Sequence, residues 1–479
     1  MRSHYPLTKA QFAIWTAQML DPESPAYNIG EYIEISGAID PDLLRTAVRH
    51  VFENTGALRL LFVETEDGPR QYFAQEEILD VPYFDLVEDA NARATAEAWM
   101  RRDMQSHCDL ARGPLCAFAI FKVNANCFFY YHRYHHIVFD GYSGTRFVRR
   151  VALRYASLLR GSPVETENAS SWLDILREEE SYIASARYAR DRDYWMARLK
   201  DGPKQATLSG KPPAVIPPRE FLRVTDFLPN PVAEKLRTLG GAYGASLAQV
   251  VTAAAALYFS RFTGESDIVI GMAASARVGA KVRNSDGMVV NVLPLRLTID
   301  PQLNFEEFIR EASRTMRDAF RHQRYRSEDL RHDLQLPPNV NSLHGMIVNV
   351  MSFDFVPDFA GCPVQVHNVS NGPVFDLSLT LYGSERTGGL RIDFDGNPSH
   401  YRLDCLTDHM QRLLDLFCRA VESAQDIPLS QFSVLTNDER RTVLYDWNAT
   451  TVDYPRCWAG NRWAPKTISS SSEAIRCWR

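Results

Sequence analysis

Strand-like and helix-like segments alternate from one end of this chain to the other, and that alternation limits the possible folds more than any other feature. Tyr32-Ile33-Glu34-Ile35-Ser36-Gly37 has the two-residue apolar period of a half-buried strand. Pro41 to Glu53 follows as a helix, with Leu43, Leu44, Ala47, Val48 and Val51 at helical spacing and proline near the start. Leu58 to Glu64 reads as a strand and Ala90 to Gln105 as a helix. Cys116 to Val123 and Cys127 to Tyr134 read as neighbouring strands joined by the polar turn Asn124-Ala125-Asn126. Helices are expected over Thr145 to Leu159 and, as one long element, over Trp172 to Leu199. The second half repeats the mixture. Ala245 to Phe262, Phe305 to Gln323 and Leu406 to Ser423 are helical, with Ser246 as an N-cap. Asp267 to Met272, Met288 to Leu297, Met346 to Phe355 and Leu377 to Leu381 are strands. Such a pattern predicts an α/β or α+β protein.

At 479 residues and 45% hydrophobic content, the chain exceeds one ordinary domain. Two lobes are expected, 1–180 and 181–435, with Leu208 to Pro218 as a Pro/Gly-rich loop. Residues 436–455 read as a linker, and 456–479, with the serine run Ser469 to Ser472, as a disordered tail. A net charge of −6 argues against a dedicated nucleic-acid binder. None of the 8 cysteines forms a C-x-x-C pair, which excludes zinc-ribbon and thioredoxin-like readings and fits a reducing cytosol. Met1 to Leu7 lacks an apolar signal core, and Leu247 to Phe259 is too short for a bilayer span. A cytoplasmic protein without a membrane partner is expected.

The chemistry-bearing stretch is Tyr131-His132-Arg133-Tyr134-His135-His136-Ile137-Val138-Phe139-Asp140-Gly141. An aromatic strand ends in two histidines, and Asp-Gly opens a turn before a helix. Histidines and a carboxylate at such a junction suit proton transfer, because strand-to-helix junctions face clefts. A histidine there is also a common structural residue, and Asp-Gly alone is only a turn. His132, His135 and His136 lack H-E-x-x-H spacing, so no metal is expected. No G-x-S-x-G elbow, Walker loop or G-x-G-x-x-G is present.

Taken with its surroundings, His135-His136-x-x-x-Asp140-Gly141 resembles the motif of nonribosomal peptide synthetase condensation domains. Leu7 to Trp15 resembles the family's first motif, and Arg49-His50 through Phe62 its second, with altered spacing. Asp286 to Leu295 resembles the Gly-x-Phe-Val-Asn motif and His322 to Asp329 the His-Gln motif. Leu444 to Thr450 resembles the linker into an adenylation domain. Tyr134-His135-His136 and Asn291-Val292-Leu293-Pro294-Leu295 are closest to enterobactin-type siderophore synthetases, which join an aryl acid to an amino acid.

The resemblance implies two chloramphenicol-acetyltransferase-like lobes in a V-shaped pseudo-dimer with a central tunnel. It places His136, His135, Asp140 and Gly141 in the catalytic motif, with His136 pointing into the tunnel and His135 as its neighbour. Asp140 is implied to be architectural, paired with Arg277, while Asn349 supplies a polar group near the site and Gly141 lets the backbone pass close to it. No intrinsic cofactor is implied. Phosphopantetheine arms arrive on upstream donor and downstream acceptor carrier domains, and an adenylation domain normally follows. Arg146, Arg149, Arg150 and Arg154, and Arg317, Arg321, Arg324 and Arg326, read equally as carrier-docking faces or as solvated helix faces.

The reaction implied is attack of an amine on a thioester. An α-amine has a pKa of roughly 7.7–8.0, so orientation matters more than a strong base. One alternative is a free-standing CoA-dependent acyltransferase of the same superfamily, although the chain lacks its Asp-Phe-Gly-Trp-Gly run. Another is a truncated remnant that binds carriers without catalysis, since the expected adenylation-domain opening is missing after Pro455. An epimerisation domain is disfavoured by the linker.

Overall fold

The computed structural model describes residues 3–74, 79–162, 171–203, 205–337, 340, 342–351, 357–383 and 389–449. The first large sheet has five strands in the order Val364–Asn371, Asn28–Ser36, Cys127–His135, Cys116–Asn124, Tyr83–Asp85. Its central strand, Cys127–His135, is buried on both faces. Tyr130 and Tyr134 pack with Val48, Phe147 and Val151 of the helices Pro41–Glu53 and Gly141–Arg160. Phe129 and Tyr131 pack on the other side with Ala96 and Met100 of Ala92–Met104. That double burial explains an aromatic run with little polar alternation.

The second large sheet runs Asn291–Thr298, Asp267–Ala274, Met346–Met351, Leu377–Tyr382, Gly389–Gly396, Leu222–Pro229. Met346–Met351 is parallel to both neighbours, and the outer pairs are antiparallel. Helices Leu247–Thr263, Phe305–Arg321 and Leu403–Glu422 cover it with a second apolar core. Among the described residues no single helix is long and apolar enough to cross a membrane. Strand Val364–Asn371 leaves the second half and pairs antiparallel with Asn28–Ser36. The two halves therefore share a sheet across the boundary expected near residue 180.

Several elements differ from their sequence reading for local reasons. The long helix over Trp172 to Leu199 is two, Trp172–Ile183 and Ala186–Leu199. Ser185 Oγ donates to Tyr182 O at 2.7 Å and captures a carbonyl at the break. The motif helix starts at Gly141, earlier than Thr145, because Asp140 is its N-cap. The strand placed over Met288 to Leu297 begins at Asn291, since the Val289 and Val290 N–H groups point to Asp140 instead. Ser246 does cap Leu247–Thr263, in a reciprocal box with Gln249. The tail 456–479 and residues 352–356 lie outside the described residues.

Candidate active site

The site forms where the central strand of the first sheet ends. His135 is its last residue, and the chain is then pinned by His136 N–H to Tyr27 O at 2.7 Å. A tight turn follows, with Val138 N–H to His135 O at 3.0 Å, and Asp140 starts the motif helix. This geometry separates the two histidines completely.

His136 is half-buried and lines a cavity of about 240 Å³. Its Nδ1 lies 2.9 Å from Phe139 O. A carbonyl oxygen only accepts, so Nδ1 carries the proton and the neutral ring keeps its lone pair on Nε2. Burial lowers the His136 pKa below its ordinary 6.5, against the opposing pull of Asp140, so the ring is neutral at pH 7.

His135 uses both nitrogens internally. Nδ1 accepts from Ile137 N–H at 3.2 Å, and Nε2–H donates to Gln18 Oε1 at 3.2 Å. Burial pushes its pKa down to about 3. It does not line the cavity, and it serves the turn that presents His136.

Asp140 is saturated. Arg277 Nη1 reaches Oδ2 at 2.7 Å and Nη2 reaches Oδ1 at 2.9 Å. Val289 and Val290 N–H donate to Oδ2 at 3.0 and 3.1 Å, and Ser143 N–H to Oδ1 at 3.0 Å. Burial alone would raise this carboxyl; the Arg277 guanidinium and the backbone donors hold it below its ordinary value. Arg277 also bonds Gly287 O at 3.0 Å and lies over the Tyr142 ring. Asp140 thus fastens the first half of the chain to residues 277–290 and has no lone pair left for a substrate.

Gly141 has no left-handed backbone; its role is space. A Cβ there would stand 3.1 Å from Met351 Cε across the cavity. Asn349 lines the cavity from the second sheet. The structure therefore gathers His136, Asp140, Gly141, Arg277 and Asn349 around one cavity.

The arginine clusters are mostly internal. Arg146 and Arg150 both bind Asp286, at 3.1 and 2.6 Å, and Arg326 binds Val289 O and Val290 O. These four contacts hold the loop that carries the Asp140 donors. Arg324 packs over Tyr182, whereas Arg321 is exposed beside Asp318. The His-Gln motif is also architectural: His322 bonds Asp191 at 2.7 Å and stacks on Tyr194.

Sequence reasoning missed the contribution of Val364–Asn371 and the glycine after it. Gly372 has φ +100°, and a Cβ there would lie 3.0 Å from His136 Cδ2. The alternation Val364-x-Val366 was the available signal for that strand. Among the described residues no group of His, Cys, Asp or Glu is placed to hold a metal ion.

Residues 1–444 match the family model described as Condensation domain. The chain belongs to the condensation-domain family. A dimodular nonribosomal peptide synthase of Bacillus subtilis (strain 168) is 36% identical over 446 residues, 93% of this chain and 19% of that protein. Enterobactin synthase component F of Escherichia coli O157:H7 is 30% identical, over 86% of this chain and 32% of that protein. The chain thus spans about a third or less of these curated relatives. Among solved structures, the starter condensation domain of rhizomide synthetase in complex with C8-CoA superposes with TM-score 0.85 at 37% identity, covering 90% of this chain and 98% of that one. The first condensation domain of the calcium-dependent antibiotic synthetase, with a substrate analogue, gives 0.83 at 32% identity, covering 91% and 99%. Both likenesses agree with the expected acetyltransferase-like fold.

Proposed function

We propose that this condensation domain joins a carrier-bound donor acyl thioester to the amine of a carrier-bound aminoacyl thioester. The observation that carries the reading is the His136 ring: Nδ1–H tied to Phe139 O, Nε2 left with its lone pair, beside a cavity walled by both halves of the chain. The amine nitrogen attacks the thioester carbonyl carbon, the C–S bond breaks, and an amide and a thiol result. His136 Nε2 accepts the amine proton as the C–N bond forms and returns it to the departing sulfur. Asp140 stays ionised and fixes the architecture. No covalent enzyme intermediate is required.

The phosphopantetheine arms belong to the carriers, and the chain supplies no cofactor of its own. Reconstitution tests this reading: the purified chain is mixed with a donor-loaded and an aminoacyl-loaded carrier, and the acceptor carrier is followed by intact-protein mass spectrometry. Transfer of the acyl mass onto the acceptor amine supports it. A parallel arm offers the same acyl group as a CoA thioester with a free amine. Faster turnover there than with carriers favours a free-standing acyltransferase instead.

A further inference from the structure

The floor of the His136 cavity is a polar row laid across the first sheet. Asn368, Glu31 and His132 are direct cross-strand partners, so their side chains share one face, and all three line the cavity. Tyr134, two residues along from His132, lines it too. His132, Tyr134 and Asn368 are only 2%, 1% and 8% exposed. Yet both ring nitrogens of His132, the Tyr134 hydroxyl and Asn368 Oδ1 have no hydrogen-bond partner among the described residues. A buried polar atom left unpaired costs on the order of 1–3 kcal/mol, so a group of them in one cavity marks a surface built to receive polar atoms. Asn368 Nδ2 lies 3.4 Å from Glu31 Oε1, which leaves the rest of that carboxyl facing the same space.

Charge is not what this floor recognises. Burial pushes His132 down to about 3, so its ring is neutral and offers one donor and one acceptor. Burial also raises Glu31. Groups that both donate and accept are the match for such a set. Gly30 and Gly144 line the cavity beside these residues and leave room above the sheet. At about 240 Å³ the cavity falls below the ~300–1,000 Å³ usual for drug-sized ligands, so its occupant is a single ring or a short chain.

We propose that the Asn368–Glu31–His132 row, with Tyr134, recognises the donor acyl group, and that this donor is a small acyl group bearing hydroxyls and not a plain hydrocarbon. The inference rests on the cavity being the condensation site, and its test is read independently of turnover.

Binding of N-acetylcysteamine thioesters of salicylate, protocatechuate, benzoate and octanoate to the purified chain is measured by calorimetry. At least one hydroxylated thioester is expected to bind about tenfold tighter than benzoate and octanoate, because a site that pairs hydroxyls rejects analogues lacking them. In Tyr134→Phe, which removes one oxygen and keeps the shape, that ratio falls at least about threefold. In His132→Leu it falls to within about twofold. If His132→Leu does not fold, Tyr134→Phe alone decides. Equal or tighter binding of benzoate or octanoate, no detectable binding of either hydroxylated thioester, or an unchanged ratio in the folded variants overturns the proposal; the row then holds water only. Loss of amide formation with the hydroxyl preference intact fails the proposed function and not this inference. Turnover with a preference for benzoate fails this inference alone.

Discussion

Arg277 closes on Asp140 through two hydrogen bonds, Nη1 to Oδ2 at 2.7 Å and Nη2 to Oδ1 at 2.9 Å, with both side chains 1% exposed. Removing one member strands the other as a buried charge. Asp140→Ala is therefore expected to cost about 3–5 kcal/mol of stability, and Arg277→Ala a similar amount. The double variant loses less than the two single losses added together. Urea unfolding of the three proteins measures this. Wild-type stability in Asp140→Ala with activity abolished would make Asp140 a participant in the chemistry and contradict the architectural role.

The pH profile separates His136 from the substrate. The acceptor amine gives a rising limb of kcat/KM near its own pKa, roughly 7.7–8.0. A second limb belongs to His136, whose pKa is lowered by burial. Activity falls as pH drops through that lowered value, because protonation removes the Nε2 lone pair. The limb lies below pH 6.5 and vanishes in His136→Gln. A His136-dependent limb at or above 6.5 contradicts a desolvated neutral ring.

Gly372 sets the back wall of the imidazole. With φ +100°, and His136 Cδ2 3.0 Å from where a Cβ would be, alanine strains the backbone and pushes the ring. Gly372→Ala is expected to lower kcat by about tenfold to a hundredfold, through misplacement of Nε2. A crystal structure of the variant should show the ring displaced. Unchanged kcat would show that ring position at this wall is not limiting.

Buried histidines make the fold acid-sensitive. His132 and His135 are pushed to about 3, and His344 and His409 to about 4. The unfolded chain binds these protons near 6.5, so stability declines as pH falls below 6.5 and continues to decline to about pH 4 or 3. At pH 5 each contributes a loss on the order of 2 kcal/mol relative to neutral pH. Chemical denaturation at pH 7.5 and pH 5 checks the sign. Equal midpoints would mean the rings are protonated in the folded state.

The alternation of elements and the motif itself were legible because both are local. Asp140 precedes Ser143 at N-cap spacing, and the apolar periods of Pro41–Glu53 and Phe305–Arg321 need no tertiary information. The pairing of Asp140 with Arg277 came from resemblance, and the coordinates supply its geometry. What was not legible depends on distant pairing. Val364–Asn371 joins a strand more than 300 positions earlier in the chain, and that register brings Asn368 beside Glu31 and delivers Gly372 to His136. No local period encodes that meeting. His132 stood in view as one of three histidines, but its unpaired state depends on what the fold places around it.

The most direct test is a single-turnover reaction between a donor-loaded and an aminoacyl-loaded carrier, comparing wild type with His136→Ala. The expected result is a fall in the amide-forming rate of at least about a hundredfold with the thermal midpoint unchanged. Amide formation at the wild-type rate by a folded His136→Ala protein would contradict the account.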